Sequence, residues 1–186
     1  MERIIIITGT PGTGKSTLAK ELAVRIGADA IGANEIAKES GFVIGRDGYG
    51  TSIVDLGRLE RKLNKIAKEY ASRKKTLILD GHLLSEIKVK GAVVIVLREH
   101  LPVLIKRMEK RKYHFDKIRD NIISEAIDLC GSNSRKRYKK AYEIWSGRDA
   151  AAEALKVIRS GKGSREVMDM MPELLKLIKK DRSFLA

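Results

Sequence analysis

A single cysteine, Cys130, stands among the 186 residues. No internal disulfide can form, and a reducing, cytoplasmic setting is the simplest expectation. Cys130 has no histidine or cysteine near it in sequence, which argues against a metal or redox role and for a core position. No run of about 18 apolar residues occurs, so neither a membrane-spanning helix nor a membrane partner is expected. The start, Met1-Glu2-Arg3-Ile4, leads straight into a strand-like run and lacks the regions of a secretory signal. Aromatic residues make up 5% of the chain, too few for a base-stacking platform. There is no internal repeat, low-complexity tract or long linker, and the length suits one domain covering residues 1–186.

Positive charge is abundant: the formal net charge is +14. Such a field favours anionic partners such as nucleotides or RNA, and a lysine-rich solvated surface explains it equally well. Short apolar runs alternate with amphipathic stretches. Ile4 to Thr8, Thr76 to Asp80 and Ala92 to Leu97 are apolar on both faces, as buried parallel strands are. Helices are expected over Lys15–Ile26, stopped by Gly27, and over a segment capped by Asp55 and running to about Ser72. Between them come a brief strand at Asp29–Ile31, a short helix capped by Asn34, and a glycine-rich loop or hairpin over 41–57. Pro102 opens a helix to about Arg111, and Phe115 to Cys130 reads as one helix ended by Gly131. Tyr138, Ala141, Tyr142 and Trp145 fall at helical spacing and read as a core face. Leu155–Ile158 reads as a last strand, and Ser164 as the cap of a final helix that Pro172 interrupts. Alternating strands and helices argue for an α/β fold, a mostly parallel sheet with helices on both faces and ligands at the carboxyl ends of its strands.

Gly9-Thr10-Pro11-Gly12-Thr13-Gly14-Lys15-Ser16 satisfies GxxxxGK[ST] between an expected strand and an expected helix. The spacing has a physical reason. Gly12 and Gly14 let the backbone turn tightly and point N–H groups at phosphate oxygens, at the positive end of the following helix. Lys15 supplies a point charge to the β- and γ-phosphates, the Ser16 hydroxyl is a magnesium ligand, and Thr17 either contacts the α-phosphate or secures the first helical turn. ATP and Mg2+ are the cofactors this implies. Neither guanine-reading tetrapeptide, Asn-Lys-x-Asp or Thr-Lys-x-Asp, is present, which favours ATP over GTP.

Asp80 ends an apolar strand, where a carboxylate orders the magnesium shell; an ordinary strand-end turn before Gly81 is the alternative. His82 either orients a water or hydroxyl, acts as a base near neutral pH, or is structural. Arg98, Arg107 and Arg111, with Lys106 and Lys110, offer guanidinium groups that can close over a γ-phosphate or merely line a solvated face. Arg135, Lys136, Arg137, Lys139 and Lys140 form a second cluster, suited to RNA phosphates or to no partner.

Taken together, Thr8 to Thr17, Ile53-Val54-Asp55-Leu56, Leu79-Asp80-Gly81-His82, Val94 to Arg98, Arg111-Lys112-Tyr113, Lys117-Ile118 and Asn121 resemble the adenylate kinase isoenzyme 6 family, its archaeal branch above all. Ile158 to Lys162 sits where that family has its last strand and loop. The resemblance covers most of the chain. It implies a P-loop NTPase fold of the nucleoside monophosphate kinase kind, ATP held by Gly12, Gly14, Lys15, Ser16 and Thr17, and a monophosphate-binding flap over about 31–54. It further implies a short lid over about 108–118 with Arg111 above the phosphates, a catalytic Asp-x-His at Asp80 and His82, and Lys162 bordering the adenine. The sequence departs from ordinary adenylate kinases in two places: the short helix of the flap carries only Lys38, and no arginine follows Asp80-Gly81. The expected reaction is therefore ATP plus AMP giving two ADP, with ATPase activity. The alternative is an ATP-switched assembly factor for small ribosomal subunit maturation, acting on a ribosomal protein or rRNA. A kinase for another small acceptor is a third reading. No oligomeric state follows from the sequence.

Overall fold

The computed structural model describes residues 4–161, 163, 167–181 and 184. Five strands form one parallel sheet: β1 (Ile4–Thr8), β2 (Asp29–Gly32), β5 (Leu77–Asp80), β6 (Ala92–Arg98) and β7 (Ala141–Trp145), in the order β2-β5-β1-β6-β7. A separate antiparallel hairpin joins β3 (Val43–Arg46) to β4 (Ser52–Val54). The order reverses around the central β1, so the loop after β1 opens into the crevice where such sheets bind ligands.

The strands are apolar throughout because each sheet face is covered. Ile4 and Ile6 point into one core with Leu77, Leu79, Val94 and Val96. Helices α2 (Ala33–Glu39) and α3 (Leu56–Ser72) close that side through Ala33, Ala37, Leu59, Leu63 and Ala67. Ile5 and Ile7 point the other way, with Ile78, Val93 and Ile95, against α1 (Lys15–Ile26) and α7 (Ala150–Ser160). A third cluster lies beyond the sheet, where α4 (Leu101–Lys110), α5 (Phe115–Ala126) and α8 (Met171–Lys180) pack through Leu104, Met108, Ile118, Ile122 and Leu174.

Several local expectations need correction. The short α2 begins after Gly32, and Asn34 lies inside it without capping it. The stretch expected as one helix from Phe115 to Cys130 is two, because Asp128 adopts a left-handed backbone (φ 54°) and starts α6 (Leu129–Arg137). Gly131 does not end a helix: it lies within α6, where an added Cβ would come within 2.2 Å of Asp128 Oδ1. Ala141 to Trp145 is strand β7, not a helical face. Its alternation sends Tyr142 and Ile144 to the α7 side and leaves Glu143 facing the other way. Leu155–Ile158 is helix, the second half of α7. Pro172 sits in the first turn of α8 and interrupts nothing. Ser164, the expected cap, lies outside the described residues. Asp55 does cap α3, accepting from Arg58 N at 2.9 Å.

A buried ionic cluster ties the second half of the chain together. Arg98, at the end of β6, is 1% exposed. Its Nε donates to Glu125 Oε1 at 2.9 Å, its Nη1 to Asp128 Oδ1 at 2.6 Å and Glu143 Oε2 at 2.8 Å, and its Nη2 to Glu125 O at 2.8 Å. Arg135 closes the group through Asp128 and Glu143. Arg98 is thus a cross-link and does not reach phosphates, and Arg135 likewise leaves the supposed surface cluster. Removing one member strands the others as buried unpaired charges. Arg98→Met is expected to lower unfolding free energy by about 3–5 kcal/mol, read from denaturant melts against the intact protein.

Candidate functional site

The loop between β1 and α1 is shaped by backbone contacts that only glycine permits. Gly9 has φ 138°, and a Cβ there would sit 2.3 Å from Leu97 O. Gly12 has φ 95°. The turn is closed internally: Thr13 donates through N at 3.3 Å and through Oγ1 at 3.0 Å to Thr10 O, and Lys15 Nζ donates to the same oxygen at 2.9 Å. Two outside groups hold the loop in place. Thr10 Oγ1 donates to Glu125 Oε2 at 2.5 Å, and Arg107 Nη1 donates to Gly12 O at 3.0 Å while its Nη2 pairs with Glu99 at 2.8 Å. Burial pushes the Lys15 ammonium down to about 8, Arg111 adds to the shift, and Asp80 and Glu125 oppose it.

The strand ends bring the other expected groups beside this loop. Thr17 follows Ser16 in the first turn of α1. Ser16 Oγ donates to Asp80 Oδ2 at 2.5 Å, which places a hydroxyl and a carboxylate together at the carboxyl ends of the central strands. Among the described residues no group of three histidines, cysteines or acids forms a metal cage. That pair nevertheless suits magnesium, which takes one or two protein oxygens and completes its octahedron with water and phosphate oxygens. Asp80 is the last residue of β5, and His82 begins a 3-10 turn (His82–Ser85) just past it. The His82 carbonyl accepts from Thr8 Oγ1 at 3.3 Å and Ser85 Oγ at 2.9 Å. Burial, then the charges of Lys15 and Lys117, lower its imidazole to about 4. At neutral pH the ring is therefore uncharged and a weak base, better suited to orienting a water or hydroxyl than to removing a proton.

A cavity of about 680 Å³ extends from the loop. Gly12, Gly14, Lys15, Ser16, Thr17, Asp80, His82 and Arg111 all line it. The segment 108–118 forms the end of α4, a turn and the start of α5, and it contributes Arg111, Tyr113 and Lys117. The hairpin contributes Asp47, Tyr49 and Thr51, and α2 contributes Asn34 and Glu35. Tip and α5 touch: Lys117 Nζ donates to Thr51 Oγ1 at 2.7 Å and Tyr49 OH to Asp120 Oδ2 at 3.3 Å. Cys130 also lines the cavity from α6, half-buried, and is not a pure core residue. Lys162 lies outside the described residues, so its place beside an adenine has no geometry. The strand that ends the sheet is β7, and the chain leaves it at Ser146, well before Lys162.

Sequence reasoning missed the loop's supports. Glu125 is buried and bonded to Thr10, but a lone glutamate in an amphipathic helix carries no signal of it. Arg107, expected either over a phosphate or on a solvated face, instead holds the Gly12 carbonyl. Asp47 and Thr51 went unmarked, although Asp-Gly-Tyr-Gly-Thr is a turn signature.

A parallel sheet with a glycine loop after its first strand, a serine–aspartate pair and a cationic segment between α4 and α5 defines a P-loop kinase fold. A sugar kinase from Janibacter sp. superposes with a TM-score of 0.58 over 86% of this chain and 95% of its own, at 18% identity. Shikimate kinase from Acinetobacter baumannii, solved with shikimate, gives 0.52 over 86% and 94%, at 20% identity. The model for the family described as AAA domain matches residues 5–128. The particular family follows from closer relatives. One from Methanosarcina acetivorans is 35% identical over 91% of this chain and 100% of its own, and one from Methanocaldococcus jannaschii is 33% identical over 89% and 91%. Both carry the name "Putative adenylate kinase", and the chain belongs to that archaeal family.

An NMR titration of the His82 ring is expected to find it neutral at pH 6, with its midpoint near 4. Its folded value lies below the unfolded one, so its contribution to stability is full above about pH 6.5 and lost as pH falls toward 4. His82→Asn should remove that part of the acid sensitivity in thermal melts; a midpoint near 6.5 contradicts the burial argument.

Proposed function

We propose that this protein is an ATP-dependent nucleoside monophosphate kinase, converting ATP and AMP to two ADP, with ATP hydrolysis as a side activity. The observation that carries the reading is the single cavity in which the phosphate loop, the Ser16–Asp80 pair, Arg111 and the hairpin tip meet. The names of the archaeal relatives support it. In this reading ATP lies along 9–16, with loop N–H groups and Lys15 on its β- and γ-phosphates. Ser16 and Asp80 would hold magnesium, which when bound would neutralise charge on those phosphates. An oxygen of the AMP phosphate attacks the γ-phosphorus, the bond to the β-bridging oxygen breaks, and ADP leaves with that oxygen. Arg111 meets the charge on the transferring group. His82, uncharged, accepts or donates a hydrogen bond to orient the attacking oxygen. Contact between the hairpin tip and α5 limits water at the reacting centre.

One observation favours a second reading, an ATPase that switches an assembly. The α2 helix lends the cavity Asn34 and Glu35, while Lys38 is exposed and lines none of it. With no arginine there or after Gly81, the grip on a monophosphate is reduced and water can take its place as acceptor. The net charge of +14 suits an RNA-bearing partner such as a ribosomal particle, and the single thiol suits a cytoplasmic setting.

The deciding measurement is ADP and phosphate release from ATP and magnesium, with and without AMP. The kinase reading expects AMP to accelerate ADP formation while phosphate stays low; slow phosphate release indifferent to AMP sinks it in favour of the ATPase. Lys15→Ala is expected to reduce either activity by about 100-fold or more.

A further inference from the structure

Lys117 is placed against its local electrostatics. It lies in the first turn of α5, whose N-cap residue His114 provides no side-chain cap. A cation at that end opposes the helix dipole. Lys15 and Arg111 line the same cavity and add to the repulsion. Among the described residues no carboxylate lies within ion-pairing distance of its ammonium. Its partners are the neutral Thr51 hydroxyl at 2.7 Å and the Tyr113 ring, 4.6 Å from Nζ to the ring centre. Asp116 pairs with His114 and Arg119, and Asp120 accepts from Tyr49, so the acids of this turn are engaged elsewhere.

The hydroxyl it meets is held by a built turn. Asp47 Oδ1 accepts from Tyr49 N at 2.9 Å and Thr51 N at 2.8 Å, and Asp47 N donates to Thr51 O at 2.9 Å. The hairpin tip therefore presents Thr51 as a fixed partner on the wall of the cavity that Lys117 also lines. A half-buried ammonium that lines the cavity and makes no close ion pair among the described residues, although the Asp47 carboxylate feels its charge, has the chemistry of a phosphoryl-oxygen ligand.

We propose that Lys117 binds the acceptor's phosphate, so that this lid lysine takes the place of the arginines missing from α2 and from the turn after Asp80, and that its bond to Thr51 closes the hairpin over the same group. The proposal rests on the kinase reading for the identity of the acceptor, but the phosphate site itself does not need AMP. Lys117 touches phosphate in this scheme and is a specificity residue; Thr51 acts through it and is a positioning residue.

The test is calorimetric titration of AMP, and separately of inorganic phosphate, into protein loaded with magnesium and a non-hydrolysable ATP analogue. Intact protein, Lys117→Met and Lys117→Arg are compared, with thermal melts to show that each is folded. Lys117→Met is expected to weaken both ligands by about tenfold or more, while Lys117→Arg keeps most of the affinity and the ATP analogue binds all three alike. If intact protein binds phosphate but not AMP, and Lys117→Met loses the phosphate, Lys117 keeps its role and the AMP reading falls. Equal binding of both ligands to intact protein and Lys117→Met overturns the proposal. So does an equal loss of ATP-analogue affinity, which would assign Lys117 to the γ-phosphate, and so does failure of the intact protein to bind either probe.

Discussion

Glu125 accepts a hydrogen bond from Thr10 with one carboxylate oxygen and from Arg98 with the other. Much of the rest depends on that side chain. Thr10 belongs to the phosphate loop, and its carbonyl is the oxygen on which Thr13 and Lys15 converge. Arg98 is the end of β6, and through Asp128 and Glu143 it fixes the break between α5 and α6 and the register of β7. One buried carboxylate thus sets the shape of the nucleotide loop and the position of α5, α6 and β7. In a medium of low dielectric such a fully partnered cluster is rigid, and a half-partnered one is costly.

The polar groups on the far side of the cavity are arranged differently. Lys117 meets Thr51 in a half-buried contact at 2.7 Å and Tyr49 meets Asp120 in an exposed one at 3.3 Å, and exposed polar pairs contribute little to stability. The site therefore combines a stiff half, built on the sheet, with a half that can open at small cost. A transfer enzyme needs both: a fixed place for the charge that develops, and a way in for the acceptor.

The parts of the fold that were legible in the sequence were those with a local signature. Continuous apolar runs marked β1, β5 and β6, because strands covered on both faces need no polar residues. The phosphate loop, the Asp55 cap and the stop at Gly27 each follow from a residue type that one backbone geometry demands. What the sequence concealed depended on distant partners. Tyr138, Ala141, Tyr142 and Trp145 share a helical spacing by coincidence; Tyr138 closes α6, and the other three read as strand only once Glu143 is known to face Arg98, 45 residues away. Leu155–Ile158 is a short apolar run that fits strand or helix, and the alanines before it, Ala150 to Ala152, were the better guide. Arg98 and Asp80 look alike in sequence, a charge at the end of an apolar strand. One faces the cavity and the other three carboxylates, and nothing near either residue distinguishes them.

The bond from Thr10 to Glu125 spans 115 positions of the chain, and the cluster behind it waits for Glu143. During synthesis, the first strand and its glycine loop emerge well before the residues that support them. They remain without that support until Glu125 and then Glu143 have been made. Contacts of such separation form late and slow folding. A nascent chain that carries the full phosphate motif is thus still unable to hold its loop in the nucleotide-binding shape, and that competence arrives only when β7 joins the sheet.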